Sequence, residues 1–486
     1  MPDFSFVGAA YEAASPTQDT QVCINWYPEV DPTKKDDNPF TPDGRGVIAL
    51  YPTPGLSVVG ELAAAAEVRG FNVIPGGQTL LAVSGNKFYS IDTNYTATEI
   101  GTLLTSSGQV SITNNGVAAY LTDGTSRYYY IWGTGVFAAI ADGAFAGGDV
   151  CAEMDNFIFY NDPNTNQFGC TSAGSIVSNA LNSGQKIGGS DNIVAVAADH
   201  RQVILLGETE SERWVNVGTF PFPFAIIPGT SIQHGLQARF SVARLGEGLA
   251  CLALDDRGQA TVVMWGAAIP SPVRISTFAI ETAIQGYSRT DDAIAYSYAQ
   301  SGHEFYVLTF PTADVTWCFD LSTGLWHRRA WRDSNNFYHR HRSNCAVVFN
   351  NQIIVGDYQN GKLYELSTTN YTDAGDPLPC VRRCPHLTND LRNTFHHDLQ
   401  IQFQPGVGLQ TGQGSDPECI LRFSDDGGFT WSNDHIIKIG KVGKYRNRAI
   451  KRRLGLARDR VYEITVTDPV YRAVISANLN ATVGAN

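Results

Sequence analysis

Charged residues are scarce in this 486-residue chain: Asp, Glu, Lys and Arg together make up 17% of it, against about 25% in an average globular protein. Methionine is also rare, at 3 residues, whereas the chain has 47 Gly, 22 Pro, 24 Phe and 21 Tyr. This balance disfavours helices and disorder and favours short, aromatic-rich strands joined by many turns. We therefore expect an all-β fold with a large buried core.

Segments that direct a chain to or through a membrane are not found either. The N-terminus has no basic stretch followed by an apolar one, so no secretory signal is predicted. The longest uncharged stretch, 214–238, contains Pro221, Pro223 and Pro228, which predicts a loop rather than a membrane helix. The nine cysteines are an odd number without closely spaced pairs that suggest a disulfide framework, which predicts free thiols in a reducing compartment.

Common catalytic and metal-binding signatures are missing as well. The chain contains no G-x-S-x-G, G-x-x-x-x-G-K-[ST], G-x-G-x-x-G or H-E-x-x-H motif, so we predict no enzyme, no catalytic residue and no cofactor. Cys380, Cys384 and His386 offer three soft ligands, but a tetrahedral zinc site needs a fourth, and no metal is predicted. Four histidines in stretches rich in Arg and Asn are expected to be exposed or at an interface: His339, His341, His396 and His397.

What the chain does contain is a repeated two-strand unit. An apolar run, a turn with Gly, Asn or Asp, and a second run with an aromatic residue recur seven times, at starts 37 to 55 residues apart. This is the spacing of propeller blades, and stacking such units radially removes exposed sheet edges. We predict a β-propeller of six or seven blades, with seven favoured. A stack of β-sandwiches with evenly spaced strands is the alternative.

Three regions are predicted along the chain. Residues 1–67, rich in Pro and Asp, are expected to form an extended N-terminal arm and a first strand, with the arm lying on a neighbouring molecule. Residues 68–370 form the propeller. A turn-rich linker then leads into a C-terminal β module, residues 371–486, which carries the hairpin motif described next.

One local motif is specific, because the segment 424–431 fits the Asp-box pattern S-x-D-x-G-x-T-W. The pattern predicts a tight hairpin in which the carboxylate accepts backbone N–H bonds, a glycine takes positive φ and the tryptophan packs beneath. Its role is structural. Sialidases carry such boxes on propellers, so a carbohydrate-binding or glycan-degrading propeller is the alternative function. The motif residues are Ser424, Asp426, Gly428, Thr430 and Trp431.

Charge is distributed unevenly. The formal net charge is −12, yet the segment 438–460 carries +9, which leaves −21 on the remainder. Such segregation favours contact between an acidic body and a basic partner or another copy of the chain, and a solvated basic face is the alternative. Nucleic-acid binding is the weaker interpretation, because so acidic a protein repels phosphate outside this segment.

The C-terminal region resembles the end of phage packaged-DNA stabilisation proteins, the tail hub or nozzle subunits of short-tailed (podovirus) bacteriophages. Two upstream stretches look like the N-terminal signature of that family and several others look like its blade motifs, so the resemblance covers roughly residues 23–478. The matching stretches are 25–27, 51–56, 302–311, 317–320, 326–329, 355–357, 361–364, 424–432, 439–446, 452–455 and 457–469.

The resemblance implies a structural protein of the virion tail, made in the host bacterial cytoplasm. Family members form a hexameric ring below the portal and its adaptor, or head-to-tail connector, close or narrow the DNA exit channel, and hold a needle, plug, spikes or fibres. Double-stranded DNA is expected to pass without sequence-specific binding, and no membrane insertion is expected. The net charge of −21 outside the basic segment suggests an acidic channel wall.

The resemblance also gives the basic segment an expected role. Four of its arginines are expected to pair with acidic residues of a neighbouring subunit or of the adaptor. We name this set the arginine surface: Arg446, Arg448, Arg452 and Arg453.

Overall fold

The computed structural model describes residues 6–31, 48–141, 147–255 and 257–484. Within these residues there is one α-helix, Phe278–Gln285, and the other regular elements are strands. The apolar runs form the most deeply buried strands, as in Leu80–Ser84, where every residue is buried. The all-β prediction is confirmed.

Seven antiparallel sheets form the blades of a propeller in the described part of the chain, and the inner strands of neighbouring blades contact one another around the ring. The strands of the first four blades are, for blade 1, Val68–Val73, Leu80–Ser84, Lys87–Ile91 and Ala97–Thr102; for blade 2, Ser111–Asn114, Ala119–Thr122, Arg127–Ile131 and Val136–Ala139; for blade 3, Cys151–Met154, Phe157–Asn161, Gln167–Thr171 and Ser178–Gln185; and for blade 4, Ile193–Asp199, Gln202–Gly207, Ser211–Asn216 and Phe224–Ile226.

The last three blades carry additional elements. Their strands are, for blade 5, Gly235–Leu236, Ala243–Leu245, Gly248–Leu254, Ala260–Trp265 and Val273–Arg274; for blade 6, Ile294–Gln300, His303–Phe310, Val315–Asp320 and Leu325–Arg332, with Tyr338–Arg340 beside the last; and for blade 7, Ser343–Phe349, Gln352–Asp357, Lys362–Ser367 and Gly55–Glu61, with the short pair Thr372–Asp373 and Asp376–Pro377.

Blade 7 is completed by a strand from far earlier in the chain. Gly55–Glu61 pairs antiparallel with Lys362–Ser367, which places Leu56 opposite Leu366. The two ends of the propeller are thereby joined by backbone hydrogen bonds, which closes the ring. This strand lies inside the predicted first region, 1–67, so the boundaries of the three regions stay a proposal.

The sequence repeat corresponds to the second strand of each blade. Ala119–Thr122, the second strand of blade 2, is wholly buried, whereas the first strand, Ser111–Asn114, is half-buried throughout. The first strands line the central channel. Some of them, such as Ser111–Asn114, lack a continuous apolar run and give a weaker signal, whereas Ile193–Asp199 begins with six apolar residues.

The C-terminal module is a β-sandwich that also takes strands from the N-terminus. Its first sheet contains Thr20–Ile24, Cys380–Arg383, Asp459–Val466, Glu418–Ser424 and His435–Lys438, with the short strands Tyr11–Glu12 and Leu387–Thr388 at its sides. Its second sheet contains Trp26–Val30, Ile48–Pro52, Val474–Val483, Thr394–Phe403 and Ala449–Ala457.

The expectation of an N-terminal arm lying on a neighbour is wrong for residues 6–31, which pack within their own chain. Phe6 is fully buried, and Trp26 lies in the same core as the sandwich strands. The prediction rested on the proline content of this region. Pro28, however, lies in an edge strand, where a missing N–H is tolerated. The prolines between residues 32 and 47 lie outside the described residues.

The sandwich and the propeller are continuous at blade 6. Thr20–Ile24 lies beside Leu325–Arg332, parallel at Ile24 and Arg328, so one sheet runs from the blade into the sandwich. Asn25 follows this strand, is fully buried and has φ 55°. Its side chain bonds the backbone of Ala330 in the blade and of Pro379 at the start of the sandwich. The two parts therefore share one core and one hydrogen-bond network.

Candidate assembly surface and Asp-box turn

The Asp-box residues form one closed hydrogen-bonded turn between Glu418–Ser424 and His435–Lys438. Both carboxylate oxygens of Asp426 accept the backbone N–H of Thr430, at 2.9 and 3.0 Å, and the Thr430 hydroxyl donates to the same carboxylate at 2.5 Å. The Ser424 hydroxyl lies 2.6 Å from Asp426 and accepts the N–H of Gly428, whose φ is 100°. These donors hold the pKa of Asp426 below its usual range, so the turn is built around an ionised carboxylate.

Trp431 links this turn to the surface of the first sandwich sheet. Its indole N–H donates to the carbonyl of Gly428 at 3.1 Å. The guanidinium groups of Arg383 and Arg422 lie 4.8 and 5.5 Å from the centre of its ring, and both arginines also pair with Glu463. The indole is thus fixed by the turn and by cation–π contacts with two neighbouring strands.

Trp431→Ala should lower the free energy of unfolding by about 2 to 3 kcal/mol, because it removes a half-buried ring and its cation–π contacts. Asp426→Ala should also destabilise the protein and lower its melting temperature, since the Thr430 N–H loses its acceptor. Urea denaturation followed by circular dichroism measures the first effect, with Phe429→Ala as a control because that neighbouring side chain is 70% exposed. Equal stabilities of the tryptophan and phenylalanine variants would contradict a structural role for the indole.

The arginine surface lies on and next to the edge strand Ala449–Ala457 of the second sandwich sheet, and all four of its side chains are exposed. Arg448 donates to the side-chain oxygen of Gln400 at 2.5 and 3.0 Å. Within the described residues, Arg446, Arg452 and Arg453 have no ion pair. The four side chains therefore present positive charge that the described part of their own chain does not neutralise.

Other cations of the basic segment form ion pairs within the sandwich. Lys438 pairs with Asp416 and Glu418, and Lys441 pairs with Asp416. Arg460 is fully buried and holds Asp425 with two bonds of 2.5 and 2.7 Å. The basic segment thus contains both structural ion pairs and the exposed arginine surface. The net charge of the segment does not distinguish the two.

The candidate zinc ligands do not come together as a site. All nine cysteines are free, and the Cys380 thiol contacts Nε of Arg472 at 2.9 Å, whereas the Cys384 sulfur accepts the N–H of Tyr462. His386 bonds Asp459 and the carbonyl of Pro16. Across the described ranges, no three His, Cys, Asp or Glu side chains are grouped closely enough to hold a metal ion.

The expectation that the histidine pairs are exposed or at an interface is wrong for two of the four. His341, between Tyr338–Arg340 and Ser343–Phe349, and His396, in Thr394–Phe403, are 2% and 3% exposed. His341 contacts the Ser343 hydroxyl at 2.6 Å, and His396 contacts the Tyr462 hydroxyl at 2.9 Å. Burial lowers the pKa of His341 well below its usual value and that of His396 to about 4.

A further buried histidine makes the fold sensitive to acid. Among the described residues, neither buried ring nitrogen of His327 has a hydrogen-bond partner, and the ring lies next to those of Tyr27 and Phe305. Burial together with the charge of Arg329 and nearby His303 lowers its pKa to about 3. The unfolded chain binds a proton here below about pH 6.5, while the folded chain does not. Stability should therefore be complete above pH 6.5 and be lost as the pH falls towards 3.

His327→Phe should weaken this acid sensitivity, because the phenyl ring fills the same aromatic site without binding a proton. Between pH 7 and 4.5 the variant should lose about 2 to 3 kcal/mol less stability than the parent protein. Denaturation curves at both pH values give the comparison, with His397→Phe as the exposed control. Parallel pH dependences of the parent and His327→Phe proteins would contradict the assignment.

Comparisons with known proteins identify two matching family models. A model described as "Bacteriophage P22 Gp10, beta-propeller" matches residues 43–371. A second, described as "Bacteriophage P22 Gp10, beta-sandwich", matches residues 380–482. No curated protein gives a significant sequence match.

Solved structures show only distant similarity. The extracellular domain of BT4673 from B. thetaiotaomicron is 9% identical, with a TM-score of 0.43 over 64% of this chain and 39% of that one. The Pan2 WD40 domain of Neurospora crassa is 10% identical, with a TM-score of 0.43 over 65% of this chain and 96% of that one. This chain spans less than half of the BT4673 domain, and neither similarity bears on function.

The two family matches follow one another in chain order and together cover the propeller and the C-terminal strands of the sandwich. Their boundary falls between residues 371 and 380, where blade 7 ends and the first C-terminal strand of the sandwich begins. In the described part of the chain no helix is long and apolar enough to cross a membrane. The chain belongs to the P22 Gp10 family of packaged-DNA stabilisation proteins, structural proteins of the phage tail.

Proposed function

We propose that this protein forms the nozzle of a short phage tail, a ring below the portal and adaptor that closes the DNA exit channel, stabilises the packaged DNA and anchors the distal tail parts. The observation that carries the proposal is the ordered match of both the propeller and the sandwich to the P22 Gp10 family. A hexameric ring and contact with a needle, plug, spikes or fibres are parts of the same proposal.

The connection between propeller and sandwich supports a role under mechanical load. A continuous sheet joins blade 6 to the sandwich, and Gly55–Glu61 ties the last blade to the N-terminal part of the chain. Separating the two parts requires breaking backbone hydrogen bonds and exposing a shared core. A subunit of this kind resists deformation by the pressure of packed DNA.

The arginine surface supports a charged contact between subunits or with the adaptor. Its side chains are exposed while the chain outside the segment 438–460 carries a net charge of −21. Complementary charge of this kind guides orientation and association. A channel wall dominated by acidic side chains is part of the proposal, because like charge allows DNA to slide without binding; a ring whose channel wall is mainly Lys and Arg would contradict it.

Native mass spectrometry of the purified protein, with and without an adaptor protein from the same phage, tests the proposal. A hexamer, or a monomer that assembles only on the adaptor, is the expected result. A monomer that is indifferent to the adaptor would overturn the nozzle assignment. Release of sugar from a host polysaccharide, abolished by one channel carboxylate substitution, would instead favour a glycan-degrading propeller.

A further inference from the structure

A cavity of about 410 Å³ opens at the end of the propeller channel where the inner strands begin. Its wall includes Glu67, Gln109, Val194, Asp292, Arg340 and Asn344. Small-molecule sites have volumes of about 300 to 1,000 Å³ and a few convergent polar groups. The cavity is therefore large enough for a ligand of the size of a monosaccharide.

Arg340 differs from the other two arginines at this mouth. Arg239 pairs with Asp149, and Arg289 makes a two-bond pair with Asp291. Arg340 is only 9% exposed, its guanidinium lies 3.8 Å above the ring of Tyr358, and its Nη1 has no hydrogen-bond partner. Among the described residues it also has no carboxylate within ion-pair distance.

Two other buried arginines, Arg69 and Arg382, have partners for most of their donors, whereas Arg213 and Arg329 each leave a buried Nε without a partner among the described residues. Arg69 donates to five oxygen atoms of the segment between residues 85 and 108. Arg382 donates to the carbonyls of three N-terminal residues and to the side chain of Gln21. Burial lowers the pKa of Arg340, and Tyr358, Asp314 and Glu67 oppose that shift but leave Nη1 without a partner among the described residues, so Nη1 is the donor that a bound anion would satisfy.

The same wall offers an acceptor of opposite charge. Asp292 uses one carboxylate oxygen for the N–H and hydroxyl of Thr312, at 2.9 and 2.6 Å. Its other oxygen, Oδ1, is buried and has no partner in the part of the chain that the structure describes. A cavity wall with one unpaired cationic donor and one unpaired anionic acceptor suits a ligand that carries an anion and hydroxyl donors together.

We propose that the mouth of the propeller channel binds a small polyhydroxylated carboxylate, in chemical terms an acidic sugar. Its carboxylate accepts hydrogen bonds from Arg340, and one of its hydroxyl groups donates to Oδ1 of Asp292. Binding requires the side-chain torsions of Arg340 to adjust as the ligand enters. This inference does not depend on ring formation, because every residue of the site belongs to one propeller.

Isothermal titration calorimetry with sodium glucuronate tests the inference, with glucose and sodium acetate as separate arms. Glucuronate should bind the parent protein with a dissociation constant of about 1 mM or less, and glucose and acetate should each bind at least about tenfold more weakly, since each lacks one of the two recognised groups. Acetate binding as tight as glucuronate binding would overturn the sugar assignment. An absence of glucuronate binding would overturn the site itself.

Arg340→Gln should weaken glucuronate binding by about tenfold or more, because a hydrogen bond to a charged group is lost. Arg201→Gln is the matched control: it removes the same charge from an exposed arginine of another blade, paired with Asp155, and should leave binding unchanged. Equal weakening in both variants would overturn the assignment. If Arg340→Gln does not fold, Asp292→Asn is titrated in its place. It should bind glucuronate more weakly, and an unchanged affinity would overturn the site.

Discussion

Charge reversal of the arginine surface is expected to prevent ring assembly while leaving the subunit folded. All four side chains are exposed, and exposed substitutions usually change stability by less than about 0.5 kcal/mol each. Placing glutamate opposite acidic groups of a neighbour replaces attraction by repulsion that costs several kcal/mol across an interface. Native mass spectrometry with the adaptor present should therefore show rings for the parent protein and monomers for the fourfold Arg→Glu variant.

The matched control reverses four cations on the propeller, the half-buried Lys87 and the exposed Arg201, Arg244 and Arg289. Each of these lies next to an acidic side chain of its own blade or a neighbouring loop. Both variants shift the net charge by the same amount, so a loss of assembly in the first variant alone assigns the effect to the arginine surface. Rings of unchanged mass from the first variant would place this surface outside the subunit contacts.

The blades were predictable because their second strands have a pattern that can be recognised in the sequence. Ala119–Thr122 and Gln202–Gly207 are short apolar runs between turn residues, and such runs signal buried strands without help from the rest of the chain. The closing strand Gly55–Glu61 was not predictable in that role, since its partner lies about 300 residues later. Long-range pairing depends on the assembled ring and leaves no local pattern.

For the Asp-box turn, too, the sequence predicts the contacts within the motif but not the contacts with distant residues. The bonds among Ser424, Asp426 and Thr430 span at most six residues, so the motif specifies them directly. Of the two arginines that contact Trp431, Arg422 lies two residues before the motif in Glu418–Ser424, whereas Arg383 comes from the distant strand Cys380–Arg383, and no spacing in the sequence links it to the motif. The unpaired groups of Arg340 and Asp292 are equally invisible, because only the complete propeller shows which buried atoms lack partners.

Asn25 is the residue whose loss should affect stability most. The sequence offered one indication, its place in the Asn-Trp-Tyr stretch that resembles the family signature, but its contacts come from the fold. Its side-chain amide donates to the carbonyls of Ala330 and Pro379, both at 2.8 Å, and its side-chain oxygen accepts the N–H of Ala330 at 3.0 Å. Its φ of 55° is also one that asparagine adopts more readily than alanine.

Asn25→Ala should lower the free energy of unfolding by about 4 to 6 kcal/mol, since up to three buried backbone groups lose partners and alanine is strained at positive φ. The matched control is Asn336→Ala, which places alanine at φ 70° in an exposed turn where the asparagine side chain makes no hydrogen bond within the described residues; it should cost only about 1 kcal/mol. Urea denaturation monitored by tryptophan fluorescence and by circular dichroism measures both. Because Asn25 joins blade 6 to the sandwich, its loss should also separate unfolding into two transitions, and a single transition with equal costs for both variants would show that the shared core alone holds the two parts together.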